Sequence, residues 1–230
     1  MEFSIVIPTH NESARIGRTL RLLAAFLKRG RRAWEIVVVD DGKDDTAKKA
    51  RQFPRTRVLH YPKRLGKGGA VMEGFKRSRG KTVLMYDADA ATPPSEIPRL
   101  LAALKTADVA IGCRYCFGSR AEMPFLRRVT GKGFNLAVRL LFGLPFRDTQ
   151  CGFKAARRAA ILPLLGGIRE KGFVWDAAFL RACTRGGLRI AQIPIRWRHV
   201  PGGTADAGGA LGVLRTSARM LFALLRLRLS

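Results

Sequence analysis

Acidic residues are scarce in this sequence. Its 230 residues include 17 aspartates and glutamates against 43 lysines and arginines, a formal net charge of +26 at pH 7. So large an excess of positive charge predicts a polyanionic partner, an anionic surface or an unusual route to solubility. Aromatic residues are also few, at 8%, and the sequence contains neither a recognition-helix pattern nor an aromatic RNA-binding motif. Together with the clustering of the acids described below, these features argue against nucleic acid as the partner.

Long uncharged apolar runs are missing as well. No window of about 18 such residues occurs, so an ordinary transmembrane helix is not expected. The opening segment Met1–Pro8 has no basic stretch ahead of its apolar residues, and it is therefore predicted to be a strand and not a signal peptide. Both absences favour a cytoplasmic protein.

Cysteine is limited to four positions, Cys113, Cys116, Cys151 and Cys183. Cys113 and Cys116 have the spacing of half a zinc site, but neither a second pair nor a nearby histidine accompanies them. The sequence therefore predicts buried or reduced thiols in preference to a metal site.

Apolar runs of strand length alternate with helical patterns through the first half of the chain. The runs at 3–7, 35–39, 57–59, 82–86 and 108–112 are separated by segments in which apolar residues recur at helical spacing. This alternation predicts an α/β protein with a mainly parallel sheet and helices on both faces. With 47% hydrophobic residues, the chain is long enough for one such domain with a full core.

Two aspartates, Asp87 and Asp89, follow directly after the predicted strand that ends at Tyr86. In an open parallel sheet, ligands bind where the strands end, and a bend there can turn both carboxylates toward one hard cation. Oxygen ligands of this kind suit Mg²⁺ or Mn²⁺. The pattern is common, however, and Asp87 as a turn cap with Asp89 in solvent is the alternative interpretation.

Other polar clusters also follow predicted strands. Asp40 and Asp41 come after the second strand, and the glycine-rich stretch Gly66–Gly69, which contains Lys67, opens a predicted helix. Glycines would let backbone N–H groups approach a phosphate that the lysine neutralises. A plain turn explains the stretch equally well, because short glycine-rich loops have many uses.

Two basic amphipathic segments lie in the second half of the chain. Residues 123–146 predict a helix that either lies at an interface or packs on the core with a solvated basic face. Residues 211–229 place Arg215, Arg219 and Arg226 on one helical face. This predicts an interfacial helix, with a helix packed on the domain or on a partner as the alternatives. The glycine-containing stretch 201–209 is expected to be a flexible linker.

Several motifs, taken together, resemble those of family-2 glycosyltransferases and occur in the same order. They are IVIPTHNE at 5–12, VVVDDG at 37–42 followed by Asp45-Thr46, Asp87-Ala88-Asp89, and IGCR at 111–114. Within that family, LGKGGAV at 65–71 and DTQCGFK at 148–154 resemble the dolichyl-phosphate β-glucosyltransferases, with the corresponding mannosyltransferases as nearest relatives. The resemblance covers nearly the whole chain.

The resemblance implies a GT-A-type, Rossmann-like catalytic domain over residues 1–200, followed by the linker and interfacial helix at 201–230. It implies inverting transfer of a hexose, with glucose favoured, from a nucleotide sugar, with UDP favoured, to a polyprenyl or dolichyl phosphate. The implied cofactor is Mg²⁺ or Mn²⁺. Without a predicted spanning helix, the protein would attach peripherally to the cytoplasmic membrane face, through the anionic lipid surface or a membrane-protein partner.

The resemblance also assigns roles by motif position. Nucleotide-sugar binding falls to Pro8, Asn11, Glu12, Asp40, Asp41, Lys67 and Asp87, and metal binding to Asp87 and Asp89. Arg114 and Arg128 would meet the acceptor phosphate, and Asp89 and Asp176 would be the catalytic residues. Because a phosphate monoester is already mostly ionised near neutral pH, Asp176 is predicted to orient the acceptor or basic residues and not to be an obligatory base. A simple helix cap is the alternative for Asp176.

Three positions depart from the family pattern. His10 replaces a common aromatic residue, Lys43 replaces a small hydroxyl residue, and Ala91 replaces a glutamine that is a metal ligand in the mannosyl enzymes. The last departure favours a glucosyl-type site and implies fewer protein ligands for the metal. A transferase acting on a soluble glycan is the alternative function, but it would need an acceptor groove and not a basic apolar surface.

Overall fold

The structure, a computed structural model, describes residues 1–30, 32–202 and 209–229. Its strands are β1 (Phe3–Thr9), β2 (Trp34–Asp40), β3 (Thr56–His60), β4 (Thr82–Met85), β5 (Val109–Cys113), β6 (Arg120–Glu122), β7 (Lys154–Arg157), β8 (Ile190–Pro194) and β9 (Arg196–Arg198). The helices are α1 (Ile16–Leu27), α2 (Thr46–Ala50), α3 (Gly66–Arg77), α4 (Ile97–Ala103), α5 (Phe125–Phe142), α6 (Arg158–Leu165), α7 (Trp175–Arg185) and α8 (Gly209–Leu229).

A seven-stranded sheet with the order β3-β2-β1-β4-β7-β5-β8 forms the centre of the fold. Neighbouring strands are parallel except at β7, which runs antiparallel to both β4 and β5. Each face of the sheet carries a buried apolar cluster. Helices α3, α5, α6, α7 and α8 contribute to one cluster, and α1, α2 and α4 to the other. The predicted α/β fold, with a mainly parallel sheet and helices on both faces, is confirmed.

Strand β7 is not among the strands that the apolar runs of the sequence predict. Its residues include Lys154 and two alanines, which have little preference for strands. Because β7 is antiparallel, its first residue lies at the edge where the parallel strands end, and Lys154 pairs there with Met85 of β4 and Ile111 of β5. The preceding stretch 148–153 is thereby brought to the same edge as Asp87 and Asp89.

The alternating pattern of residues 189–199 predicts a single strand near the sheet edge, but the structure divides this stretch. Strand β8 lies at the edge of the main sheet and ends at Pro194, which has no N–H group with which to continue a ladder. Strand β9 pairs instead with β6 in a separate two-stranded sheet. The prediction of one continuous edge strand is therefore wrong for its second half.

The cysteine prediction also needs correction. Cys113 and Cys116 form a disulfide, so they are neither zinc ligands nor reduced thiols. The turn after β5 brings their Cα atoms to 5.5 Å, a separation at which a disulfide can close. Cys151 and Cys183 are free and buried, as predicted.

Asn135 joins α5 to the loop ahead of β7. Its side-chain amide donates to the carbonyl oxygens of Phe146 and Arg147 at 3.1 and 2.7 Å. Its Oδ1 accepts from both N and Oγ1 of Thr149 at 2.9 Å. Every donor and acceptor of this buried amide is therefore paired, which fixes the start of the 148–154 stretch against α5.

Helix α8 packs along α5 through one of its faces. Leu224 is buried there, with Met220, Ala223 and Leu227 partly buried beside it, while Leu221, Phe222 and Leu225 are exposed. The interfacial role of this helix stays a prediction, and the linker predicted at 201–209 lies mainly outside the described residues. Over the ranges that the structure describes, no helix combines the length and apolar character needed to cross a bilayer.

Candidate active site

The carboxyl ends of β1, β2 and β4 open into a cavity of about 330 Å³. Among the predicted site residues, those that line it are Pro8, Glu12, Asp41, Lys67, Asp87 and Asp89. The structure therefore gathers at one sheet edge the loop after β1, the loop after β2, the start of α3 and the two aspartates after β4. The remaining predicted residues, Asn11, Asp40, Arg114, Arg128 and Asp176, lie behind the cavity wall or away from it.

Asp87 and Asp89 lie on the turn just beyond β4. Asp87 is confined, because its Oδ1 lies 3.5 Å from the Lys67 ammonium and a Cβ atom at Gly152 would come within 1.9 Å of its Oδ2. Asp89 accepts a hydrogen bond from the N–H of Ala91 at 3.0 Å. Burial, reinforced by the neighbouring Asp87 carboxylate, raises the pKa of Asp89. The pair thus concentrates negative charge that a cation would neutralise.

This donor set suits a divalent cation that takes few protein ligands. Within the described ranges, no group of three or more histidines, cysteines or carboxylates is arranged to hold a metal ion. Mg²⁺ commonly binds through one or two carboxylates while waters and substrate phosphates complete its coordination. Asp87 and Asp89 fit that mode, as the alanine at position 91 leads one to expect.

Asp41 organises the end of the cavity at the start of α3. Its Oδ2 accepts hydrogen bonds from the N–H groups of Leu65 and Gly66 at 2.7 and 2.9 Å, which fixes the start of α3. Its Oδ1 lies 2.8 Å from Nδ1 of His10, and Nε2 of His10 lies 2.5 Å from Nη1 of Arg64. His10 therefore donates to Asp41 and accepts from Arg64, so the histidine that departs from the family pattern links the two.

Asp40 and Asn11 do not line the cavity, but both join elements that form it. Asp40 is fully buried, with Oδ1 accepting from the Thr9 hydroxyl at 2.8 Å and Oδ2 lying 2.9 Å from Nδ1 of His60. Asn11 accepts from the N–H of Lys43 at 2.9 Å and so joins the loops after β1 and β2. The contact of these two residues with the nucleotide stays a prediction.

Lys67 lies between two carboxylates. Its ammonium is 3.5 Å from Oδ1 of Asp87 and 3.7 Å from Oδ2 of Asp176. Burial opposes the charge of this ammonium, but Asp87 and then Asp176 outweigh it and raise the pKa of Lys67. Asp176 is buried beneath Lys67, where its Oδ1 accepts from the ammonium of Lys154 at 2.5 Å. Asp176 therefore contacts basic residues, as the predicted orienting role requires.

The two arginines predicted to meet the acceptor phosphate lie elsewhere. Arg114 donates from Nε and Nη2 to the carboxylate of Asp148 at 2.7 and 2.9 Å, and its guanidinium lies over the ring of Trp197. Arg128 is exposed and donates to the carbonyl oxygen of Ala121 at 3.3 Å. Their role in acceptor binding stays a prediction.

Three arginines that the sequence analysis did not assign to the site also line the cavity, namely Arg15, Arg64 and Arg127. Arg64 lies just before the glycine-rich start of α3, and its position next to that motif could have identified it as a candidate site residue. Arg127 and Arg128 are adjacent in a basic segment, and only the packing of α5 decides which of the two faces the cavity.

The mainly parallel sheet, with helices on both faces and a D-x-D pair at its carboxyl edge, has the arrangement of a GT-A-type fold. Residues 4–162 match the family described as Glycosyl transferase family 2. The chain therefore belongs to that family.

Similar curated proteins include two kinds of transferase. Glycosyltransferase AglD of Haloferax volcanii is 34% identical over 208 residues, covering 86% of this chain and 33% of that protein. Dolichyl-phosphate beta-glucosyltransferase of Saccharomyces cerevisiae is 35% identical over 231 residues, covering 86% and 67%. The human protein of the same name is 31% identical, covering 87% and 68%. The chain thus spans about a third of the first relative and about two thirds of the others.

Among solved structures, glucosyl-3-phosphoglycerate synthase from Mycobacterium tuberculosis is similar over 99% of this chain and 79% of that chain, with a TM-score of 0.74 and 23% identity. Another structure of that protein contains Mn²⁺, UDP and glucosyl-3-phosphoglycerate, and its TM-score is 0.72. At this identity the likeness establishes the shared fold.

A substitution at Gly152 tests whether this residue confines the Asp87 carboxylate. In Gly152→Ala the new methyl group would overlap the Asp87 carboxylate and push it away from the cavity. We expect Mn²⁺ binding in the presence of a nucleoside diphosphate to weaken by about tenfold or more, measured by electron paramagnetic resonance of the free ion. Gly166→Ala is the matched control, because a Cβ atom there meets nothing within 4 Å. Equal binding by both variants would show that Asp87 is not confined in this way.

The acidic groups of the cavity also predict a pH dependence. Burial raises the pKa of both Glu12 and Asp89, so they take up protons at a higher pH than ordinary carboxyl groups do. A cation bound by Asp89 needs the ionised form of that carboxyl group. The rise in melting temperature caused by Mn²⁺ should therefore shrink as the pH falls, and the loss should begin above the pH at which an ordinary aspartate, with a pKa of about 3.9, takes up a proton. Asp89→Asn should remove this early loss; a Mn²⁺ effect in the unaltered protein that falls only near the ordinary value would contradict the prediction.

Proposed function

We propose that this protein transfers glucose from UDP-glucose to the phosphate of a polyprenyl lipid of the dolichyl type, with inversion at the anomeric carbon. The relatives named dolichyl-phosphate beta-glucosyltransferase, at 31 and 35% identity over most of this chain, support the choice of substrates. The observation that carries the proposal is the meeting, in one cavity, of the acidic pair Asp87 and Asp89 with the cations Lys67, Arg64 and Arg127.

The acidic pair and the cations suit two different phosphates. Asp87 and Asp89 would hold Mg²⁺ or Mn²⁺, which when bound supplies Lewis-acid stabilisation of the departing diphosphate. Lys67 keeps its positive charge in the cavity, because the nearby carboxylates of Asp87 and Asp176 raise its pKa. Arg64 and Arg127 would attract the acceptor phosphate through charge-assisted hydrogen bonds.

The acceptor brings its own nucleophile. A phosphate monoester has a second pKa of about 6 and is mostly a dianion near neutral pH. One of its oxygens would attack the anomeric carbon from the face opposite the departing UDP, and the new C–O bond would form as the bond to the diphosphate breaks. No proton has to be removed from the acceptor. Asp176, whose two oxygens face Lys154 and Lys67, is therefore assigned an orienting role and not that of a base.

The outer face of α5 supports peripheral attachment to a membrane. Phe125 and Leu140 are 81% and 77% exposed, and Arg128, Lys132 and Arg139 are exposed between them on the same face. The sequences of α5 and α8 contain no acidic residue. An exposed surface of apolar and basic side chains fits the headgroup region of an anionic bilayer. We propose that this face, with the exposed side of α8, rests on the cytoplasmic membrane surface.

The transfer itself is testable with radiolabelled UDP-glucose, Mg²⁺ and a short polyprenyl phosphate. The expected product is a labelled lipid phosphate sugar of β configuration. Asp89→Asn should lower turnover by about 100-fold or more and remove metal-dependent nucleotide binding, because an amide replaces a carboxylate ligand. Its thermal unfolding should be unchanged. Asp108→Asn, at the opposite sheet edge ahead of β5, is the control and should keep full activity.

Parallel reactions distinguish the alternatives. GDP-mannose tests the sugar and the base, while 3-phosphoglycerate and a soluble glycan test the acceptor. Transfer to either soluble acceptor, with none to polyprenyl phosphate, would overturn the proposed acceptor. Full turnover by Asp89→Asn would overturn the proposed metal site.

Membrane attachment predicts the behaviour of a double substitution on α5. Replacing both Phe125 and Leu140 with serine should lower binding to anionic vesicles by about tenfold or more, since two large apolar side chains no longer leave water on docking. Binding of the unaltered protein should fall steeply with salt. Leu22→Ser changes an exposed leucine on α1, across the sheet, and should have no effect. Unchanged vesicle binding by the α5 variant would overturn the role of this face of α5 and leave α8 as the surface to test.

A further inference from the structure

Four charged side chains of alternating sign lead from the cavity into the interior. The line runs through Asp87, Lys67, Asp176 and Lys154, with nitrogen–oxygen distances of 3.5, 3.7 and 2.5 Å. The two inner residues of this line are buried, since Asp176 and Lys154 are each 1% exposed. A continuous chain of ion pairs therefore connects a predicted metal ligand to the middle of the sheet.

Lys154 is a buried lysine within the central sheet, a position at which a charged side chain needs a physical reason. It lies at the start of β7, between β4 and β5, and its ammonium also donates to the carbonyl oxygen of Cys151. An ion pair this deeply buried is often no more stabilising than a well-packed apolar pair, because desolvation offsets the attraction. Stability alone is therefore a poor reason for a lysine at this position. Its effect on the cavity is the better explanation.

The geometry assigns Lys154 a positioning role, an inference that rests on the proposed function. Lys154 holds Oδ1 of Asp176 and leaves Oδ2 to face Lys67. Asp176 can then hold Lys67 at a distance that still lets its ammonium reach Asp87 and the donor phosphates. Without Lys154, both oxygens of Asp176 are free to draw Lys67 inward, away from the cavity. Lys154 touches no substrate and acts through Asp176 and Lys67.

Packing between α3 and α7 holds the Lys67–Asp176 ion pair in place. Trp175, next to Asp176, lies against Gly68, next to Lys67, where a Cβ atom would come within 2.3 Å of the tryptophan side chain. Helices α3 and α7 are thus in direct contact at the point where the ion pair forms. Because the helices cannot shift easily, the direction of the Asp176 carboxylate sets the position of the Lys67 ammonium.

A thermodynamic cycle tests the inference. UDP-glucose binding, with Mn²⁺ present and no acceptor, is measured by calorimetry for the unaltered protein, Lys154→Met, Lys67→Met and the double variant, with GDP-mannose run in parallel. Lys154→Met should weaken donor binding by about 10- to 100-fold. The double variant should bind no more weakly than Lys67→Met alone, because Lys154 acts through Lys67. Losses that add, or donor binding unchanged in Lys154→Met, would overturn the inference.

Two further variants separate positioning from a general loss of structure. Arg57→Met removes the partner, at 3.4 Å, of the buried Glu35 at the opposite edge of the sheet; it should lower the melting temperature and leave donor affinity unchanged. An equal loss of donor affinity in this control would overturn the inference. If Lys154→Met fails to fold, Lys154→Met combined with Asp176→Asn leaves no unpaired charge in the interior. That double variant should fold and, because no carboxylate at position 176 draws Lys67 inward, it should bind the donor more tightly than Lys67→Met does. Donor affinity no better than that of Lys67→Met would refute the positioning role.

The outcomes also distinguish this inference from the proposed function. Donor binding that depends on Lys154 without transfer to polyprenyl phosphate would support the positioning role and overturn the proposed acceptor. Transfer to polyprenyl phosphate by the unaltered protein, with Lys154→Met binding its donor normally, would support the proposed acceptor and overturn the positioning role. Binding of neither nucleotide sugar by the unaltered protein would overturn both.

Discussion

The close contact of α3 with α7 determines where the charges of the cavity lie. Trp175 packs on Gly68 and stacks on Phe179, with the ring centroids 5.0 Å apart. Lys67 and Asp176 are the sequence neighbours of the two residues in that contact, so burial of an indole brings an ammonium and a carboxylate together. Buried ion pairs contribute little net stability by themselves. Apolar packing therefore positions the polar groups, and not the reverse.

The antiparallel direction of β7 brings a second set of motif residues to the same edge. In a parallel sheet, the loop that precedes a strand lies at the edge opposite the ligand site. Because β7 is reversed, the loop that precedes it adjoins the site: Gly152 contacts Asp87, and Asp148 pairs with Arg114 at the end of β5. Motifs at 65–71, 87–89 and 148–154 thus meet although they are far apart in the sequence.

The sequence predicted the acidic part of the candidate site better than the basic part. Asp41, Asp87 and Asp89 follow apolar runs directly, so strand ends were enough to place them at one edge. Lys154 lies in a short strand with two alanines and no apolar run to mark it. Arg127 and Arg128 are neighbours on one helix, and their different surroundings follow from how α5 packs. Such contacts depend on tertiary structure, which local patterns do not contain.

Helix α5 joins two surfaces with different requirements. Its first turn presents Phe125 to solvent and Arg127 to the cavity. Under the proposed function, a lipid phosphate at headgroup depth would meet an apolar anchor and a guanidinium within one turn of helix. The distribution of acids matches this arrangement, because Glu12, Asp41, Asp87 and Asp89 gather at the cavity while α5 and α8 have none. Under that function, the scarcity of acids and their clustering have one explanation: the donor diphosphate would be held through a cation that needs carboxylates, whereas basic side chains would hold the acceptor phosphate and the membrane directly.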